Sequence, residues 1–259
     1  MTIQQTKAYF MSLPMKEVPD AIKKLQADPR VGIQTICTQY ERKYKLYLKD
    51  KSRMDKFKEF DQVFADNGQY ILAGIDEAGR GPLAGPVVAA AVILPADIDI
   101  VEINDSKKIN EDNRERLYNE IMEKAISVGV GIVEADVIDK INILQATFEA
   151  MRMAVADLNV IPEVLLVDGN QMIPKLARDM TQHAVTKGDA KSISVAAASI
   201  IAKVTRDRMM KEYHEIYPDY LFVSNKGYGS VLHQRVLQEI GPCPIHRTSF
   251  IKKILSYVK

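Results

Sequence analysis

Residues 70–86 read YILAGIDEAGRGPLAGP, an apolar run that stops at the acidic pair Asp76 and Glu77 and passes at once into a glycine-rich turn. Tyr70–Ile75 has the composition of a buried strand. An ionised carboxylate beside such a strand is costly unless a cation or a hydrogen-bond network compensates it. Side chains of neighbouring strand residues point to opposite faces, so Asp76 and Glu77 are expected to share a site only if the strand breaks after them, and Ala78 and Gly79 supply a break.

The pattern recurs downstream. VLLVDG places Asp168 at the carboxyl end of a short apolar run, and TKGDAKS holds Asp189. That edge of an open α/β sheet is where ligands usually bind. Taken singly, each acid has an ordinary reading: a helix cap or turn former for Asp168, a solvated turn for Asp76 and Glu77, a surface ion pair for Asp189. Together they carry a formal charge of −4, which two divalent cations would neutralise. Oxygen-only ligands favour Mg²⁺ or Mn²⁺ over Zn²⁺, and two such ions ~4 Å apart form a centre suited to phosphodiester hydrolysis.

The Gly79-Arg80-Gly81 turn is either a tight strand connection or a place where backbone amides approach a phosphate or ribose closely. Tyr228 lies between Gly227 and Gly229, where its ring fits an exposed stacking role better than a core one. Lys107, Lys108, Lys187 and Lys191 flank the acidic motifs. They read as solvated lysines or as phosphate contacts that set register without reading sequence.

Several long motifs in order, GIDEAGRGPLAGPVVAAAVIL, NDSKKI, LLVDG, KGDAKSISVAAASIIAKVTRDRMM and NKGYGS followed by GPCPIHRTSF, make residues 70–250 resemble bacterial ribonuclease HII. The resemblance implies an RNase H-like mixed five-stranded sheet with helices on both faces, an α/β architecture. It implies Asp76, Glu77, Asp168 and Asp189 as the metal-binding catalytic carboxylates, with Mn²⁺ or Mg²⁺ as cofactor. It assigns Gly79, Arg80 and Gly81 to the ribonucleotide 2′-hydroxyl and Tyr228 to the RNA–DNA junction. Lys107 and Lys191, by their position beside the acidic motifs, are expected as further substrate contacts. The implied substrates are RNA–DNA hybrids and DNA duplexes with embedded ribonucleotides, cut on the 5′ side of a ribonucleotide to leave 5′-phosphate and 3′-hydroxyl ends. The related ribonuclease HIII carries Gly-Lys-Gly at this turn and a sheet-based amino-terminal domain, so the present sequence favours HII. A non-catalytic nucleic-acid-binding module is disfavoured because all four acids are present.

Residues 1–69 read as a helical amino-terminal extension ahead of a catalytic domain at 70–259, with Asp66, Asn67 and Gly68 marking the end of the helical pattern. Glu41–Lys58 has eight basic residues against three acidic ones, the composition of an accessory nucleic-acid grip or of a solvated helix. The net charge of +1 hides an uneven distribution: +4 over residues 1–70, −9 over 71–186 and +6 over 187–259. An acidic middle between basic ends suits metals at the centre and a polyanion around them. The remaining strands are expected at 86–94, 127–135, 164–168 and 182–187, with helices near 111–126, at 136–158 and from about 192 onward.

With 47% hydrophobic and 27% charged residues, the 259-residue chain can build one large core plus an appendage. Cys37 and Cys243 lack metal-ligand spacing and read as reduced thiols. The first residues lack an apolar signal core, and Val87–Leu94 is far short of the ~20 residues that span a bilayer. A monomeric cytoplasmic protein without membrane contact is the expectation, with the FIKKILSYVK tail as a possible replication-clamp contact.

Overall fold

In the computed structural model, which describes residues 1–256, the decisive stretch forms β1 (Leu72–Ala78). The other strands are β2 (Val87–Ile93), β3 (Ser127–Val133), β4 (Val164–Asp168) and β5 (Thr181–Val185). They form one sheet in the order β3-β2-β1-β4-β5. β1 pairs with β2 and β2 with β3 antiparallel, while β4 runs parallel to both β1 and β5, so the sheet is mixed. β2 is buried at all seven positions, as a central strand covered on both faces requires.

The strand does not break after Glu77. β1 stays paired to β2 through Asp76↔Ala90, Glu77↔Ala89 and Ala78↔Val88. What ends there is its other ladder: the parallel pairing with β4 stops at Ile75↔Val167. Asp76 and Asp168 are each the next residue on adjacent parallel strands, so register alone sets them side by side. Beyond that point the β4-facing edge of β1 is open, and Asp76 and Glu77 flank the opening without a break.

α6 (Ile143–Ala156) covers one face of the sheet, packing Phe148 and Met151 against Ile75, Ala89 and Leu165. α7 (Ile193–Ile216) covers the other. A Cβ at Gly74 would stand 2.2 Å from the backbone of Ser194, so α7 approaches β1 as closely as only glycine permits. Ser192 caps this helix by accepting from the Val195 N–H at 3.1 Å. Val195, Ile200 and Ile201 are fully buried, each contributing about 2 kcal/mol.

The single helix expected at 136–158 is two, α5 (Ala135–Ile141) and α6, because Asn142 adopts φ 67°. Its Oδ1 accepts from the Leu144 and Gln145 N–H groups and so starts the second helix. α4 (Glu111–Lys124), α8 (Phe222–Asn225), α9 (Val231–Ile240) and α10 (Thr248–Leu255) complete the architecture. Residues 257–259, the last of the FIKKILSYVK tail, lie outside the described residues.

Two compact units divide the chain, Met1–Lys56 and Phe57–Lys259. The first contains α1 (Ile3–Ser12), α2 (Val18–Leu25) and most of α3 (Val31–Phe64). Its core joins Phe10, Val18, Ala21, Ile33 and Ile36, with the Phe10 and Tyr40 rings stacked at 4.6 Å. In the second unit, Phe60, Phe64 and Ala65 pack against Leu72, Val164 and Val195. α3 stops just before Asp66, Asn67 and Gly68, all at positive φ. Among the described residues, no helix is long and apolar enough to cross a membrane, and both cysteines are free.

Candidate active site

Asp76 is buried on β1 and its Oδ1 accepts the Glu77 N–H at 2.7 Å. Asp168, at the end of β4, is half-buried and accepts the Gly188 N–H at 2.6 Å. That bond draws the 3₁₀ turn Gly188–Ala190 to the strand end, and Asp189 on the turn is buried. Lys187 enters the turn in the left-handed conformation, φ 57°. The four carboxylates thus reach one sheet edge from two parallel strands and one turn.

Their electrostatics mark an uncompensated cluster. Burial drives the Asp76 carboxyl well above its usual range, and Glu77 and Asp168 push it further. Glu77 is also raised, first by burial, with the Arg80 guanidinium opposing at 3.1 Å from its Oε1. Asp189 is raised by burial, then by Asp105 and Asp168. For Lys107, burial opposes the charge, but Asp189, Asp76, Asp105 and Asp168 together outweigh it and raise its pKa.

Asp105 is a site residue that spacing did not single out, although it lies within NDSKKI. Its side chain accepts the Lys107 N–H at 2.9 Å, fixing the turn that carries Lys107. Ser106 Oγ meets Ser199 Oγ of α7 at 3.0 Å, anchoring the same turn next to Asp76. Lys191 stands exposed on the Asp189 turn, with its backbone N–H bonded to Gly188 O; the structure does not draw its side chain into the carboxylate cluster.

An oxygen-only donor set in which burial and neighbouring carboxylates raise Asp76, Glu77 and Asp189 is short of positive charge, and hard divalent cations fit that deficit. Among the described residues no group of three or more His, Cys, Asp or Glu side chains is arranged to hold a metal ion.

Next to the acids, Gly79 adopts φ 96°, and a Cβ there would meet Arg206 Nε at 2.2 Å and Pro86 O at 2.6 Å. A Cβ at Gly81 would meet only Tyr228 Cε1, at 3.7 Å. The exposed Tyr228 ring therefore stands next to the Cβ-free turn. Gly79→Ala is expected to destabilise the fold by about 2 kcal/mol or more. Gly81→Ala should leave the melting temperature within about 2 °C of wild type while filling the space beside the Tyr228 ring. Calorimetry beside a cleavage assay separates the two, and an equally destabilised Gly81→Ala would contradict this geometry.

Two buried arginines, not among the candidates read from the sequence, hold this turn. Arg247 donates to the carbonyls of Gly79, Arg80, Pro82, Gly85 and Pro86. Arg206 donates to those of Ala84, Pro86 and Lys226. Leu83 N–H adds a bond to Gly227 O at 2.8 Å, tying the Gly-Arg-Gly segment to the Tyr228 loop.

Comparison with known proteins agrees with this architecture. A family profile described as Ribonuclease HII matches residues 73–253, and another described as Ribonuclease HII N-terminal domain matches residues 2–65. Ribonuclease HII of Lachnoclostridium phytofermentans is 54% identical over 233 residues, spanning 90% of each protein. The crystal structure of ribonuclease H2 from Pyrococcus horikoshii superposes with a TM-score of 0.60 at 29% identity, covering 72% of this chain and 98% of that one. The Archaeoglobus fulgidus RNase HII solved in a PCNA complex gives 0.57 at 31% identity, covering 68% and 93%. The helical extension, the mixed sheet and the motifs along it have one common explanation: this chain belongs to the ribonuclease HII family of hydrolytic endoribonucleases.

Proposed function

We propose that this protein hydrolyses the RNA strand of RNA–DNA hybrids and nicks DNA duplexes on the 5′ side of an embedded ribonucleotide, leaving 5′-phosphate and 3′-hydroxyl ends. The observation that carries this reading is the buried carboxylate cluster with the Cβ-free Gly81 and the exposed Tyr228 ring beside it. A turn without a Cβ lets backbone approach a ribose, and the 2′-hydroxyl is the group that distinguishes RNA from DNA at one position. The Tyr228 ring offers a stacking surface for the adjoining nucleotide.

Asp76, Glu77, Asp168 and Asp189 are assigned to hold two Mg²⁺ or Mn²⁺ ions. Bound ions of that kind lower the pKa of the attacking water and stabilise charge on the phosphate and the leaving 3′ oxygen. The chain's own contribution is placement. Gly188 N–H orients Asp168, Glu77 N–H orients Asp76, and Arg80 offsets part of the charge on Glu77. Lys107, facing the acids, is assigned to a phosphate of the bound strand. The test is end-group analysis of products from a continuous RNA–DNA hybrid. Ends ligatable only after phosphate removal from the 3′ side would contradict the proposed polarity.

Exposed Lys49, Lys51 and Lys56 on α3 support an accessory grip by residues 1–69 on the duplex backbone. Their joint replacement by Gln is expected to weaken hybrid binding about tenfold at low salt and to flatten the salt dependence by about three counterions. Unchanged affinity and slope would refute the grip and leave a solvated helix. A clamp contact through the FIKKILSYVK tail is proposed on the likeness to the Archaeoglobus protein found with PCNA.

A further inference from the structure

Two histidines that the mechanism does not use lie inside the second unit. His233 on α9 and His246 before α10 are 0% and 3% exposed, and their Nε2 atoms meet at 2.9 Å. Two Nε2 atoms at that distance share one proton, so one ring donates and the other accepts. The Tyr228 end of the chain of bonds decides the direction. There His233 Nδ1 lies 2.9 Å from Tyr228 O. A carbonyl only accepts, so Nδ1 of His233 carries the proton and its Nε2 is a bare acceptor. With His233 Nε2 bare, the proton shared at 2.9 Å belongs to His246 Nε2, which leaves His246 Nδ1 bare. That Nδ1 faces Cys243, at 3.0 Å from its backbone N–H, 3.1 Å from Sγ and 3.2 Å from the carbonyl oxygen, and as a bare nitrogen it accepts from the N–H. The order is Cys243 N–H to His246, His246 to His233, His233 to the Tyr228 carbonyl.

Surrounding groups hold that order in place. The Tyr220 and Phe222 rings box the pair, with Tyr220 4.8 Å from His246 and Phe222 edge-on to His233 at 5.5 Å. Tyr220 OH is itself fixed to Gly241 O at 2.7 Å. Among the described residues no carboxylate bonds to either ring, and burial keeps both imidazoles neutral near pH 7, with His246 pushed down to about 4. At the far end, Arg247 follows His246 directly and is locked into the 79–86 segment by its carbonyl bonds. At the near end, Tyr228 O accepts a second bond from Ser230 N–H at 2.8 Å. The exposed Tyr228 ring therefore stands on a backbone whose carbonyl is gripped from inside the protein.

We infer that His233 and His246 are positioning residues for substrate reading: a one-directional hydrogen-bond relay from Cys243 fixes the Tyr228 carbonyl and so the angle its ring presents to the RNA–DNA junction. The inference rests on the reading of Tyr228 as the junction-facing ring. A Tyr228 carbonyl left without the His233 donor would cost cleavage of junctions more than cleavage of continuous hybrids, because only the junction depends on that ring.

The experiment has two readouts on the full chain. Imidazole ¹⁵N chemical shifts of the wild-type protein at pH 7 are expected to show His233 protonated at Nδ1 and His246 at Nε2; the reverse tautomers would overturn the relay whatever Tyr228 does. Cleavage then tests its consequence, with kcat/KM measured on a duplex carrying one ribonucleotide and on a continuous hybrid. His233→Phe should lose about tenfold on the single ribonucleotide and less than threefold on the hybrid. His233→Asn, whose amide reproduces the Nδ1 donor, should recover most of that loss. Adding His233→Phe to Tyr228→Ala should cost nothing further. Multiplying effects, or Asn no better than Phe, would overturn the inference. A fully active Tyr228→Ala would instead remove the reading of Tyr228 on which it rests.

Discussion

Asp76→Asn is expected to abolish cleavage and, at the same time, to raise the melting temperature of the metal-free protein. The loss of activity, on the order of a thousandfold or more, follows because the substitution keeps the shape of the side chain but removes the charge that compensates divalent cations. The gain in stability follows from the direction of the pKa shift. Asp76 is raised above its unfolded value by burial, Glu77 and Asp168. Its folded form binds the proton more tightly than the unfolded chain does. Stability from this group is therefore full below the unfolded pKa, near 4, and is lost as pH rises toward the folded pKa. At pH 7.5 in EDTA the wild type carries that cost and the Asn variant does not, a difference of about 1–3 kcal/mol, or several degrees at about 2–4 °C per kcal/mol. The amide retains an oxygen for Glu77 N–H. Calorimetry at pH 7.5 and pH 5 checks the sign, because the gap should narrow as the wild-type carboxyl takes up its proton. A less stable variant at both pH values would contradict it.

Arg247→Met is expected to be the most destabilising single substitution outside the apolar core. The guanidinium is fully buried and donates to five carbonyls, at 2.6 Å to Gly79 O and between 2.8 and 3.1 Å to the others. Methionine fills the volume but leaves those carbonyls without donors. Each unsatisfied buried acceptor costs about 1–3 kcal/mol. Relaxation and water entry recover part of this, for an expected loss of about 3–5 kcal/mol. Arg247→Lys supplies three donors on a point charge and should lose less. Urea denaturation checks the order, wild type above Lys above Met, and an Arg247→Met protein within 1 kcal/mol of wild type would contradict it. Because the carbonyls belong to the Gly-Arg-Gly segment, cleavage should fall in both variants even where they remain folded.

The acidic clusters were legible because charge at the end of an apolar run is costly in any fold, and β4 falls on the run 164–168 that this argument marks. The helical extension was legible from its period and from the Asp66-Asn67-Gly68 stop. Other features needed three dimensions. Asp76 and Glu77 flank one opening because β4 ends its pairing at Val167, a matter of strand register that local sequence does not encode. Asn142 divides two helices because it takes a left-handed turn inside an otherwise continuous apolar pattern. Arg206, Arg247, His233 and His246 were not singled out in the sequence, since their partners are backbone carbonyls or each other. Arg247 and Gly79 are 168 residues apart. Asp105 read as part of a motif, and only its closeness to Asp189 gives it an electrostatic role.

The most direct test of the functional account is cleavage of a labelled DNA duplex carrying one ribonucleotide, in Mn²⁺, Mg²⁺ or EDTA, beside an all-DNA duplex and a continuous RNA–DNA hybrid. The account predicts a single metal-dependent nick on the 5′ side of the ribonucleotide, none in EDTA and none in the all-DNA duplex. Binding without cutting in either metal, or cutting confined to the continuous hybrid, would contradict it.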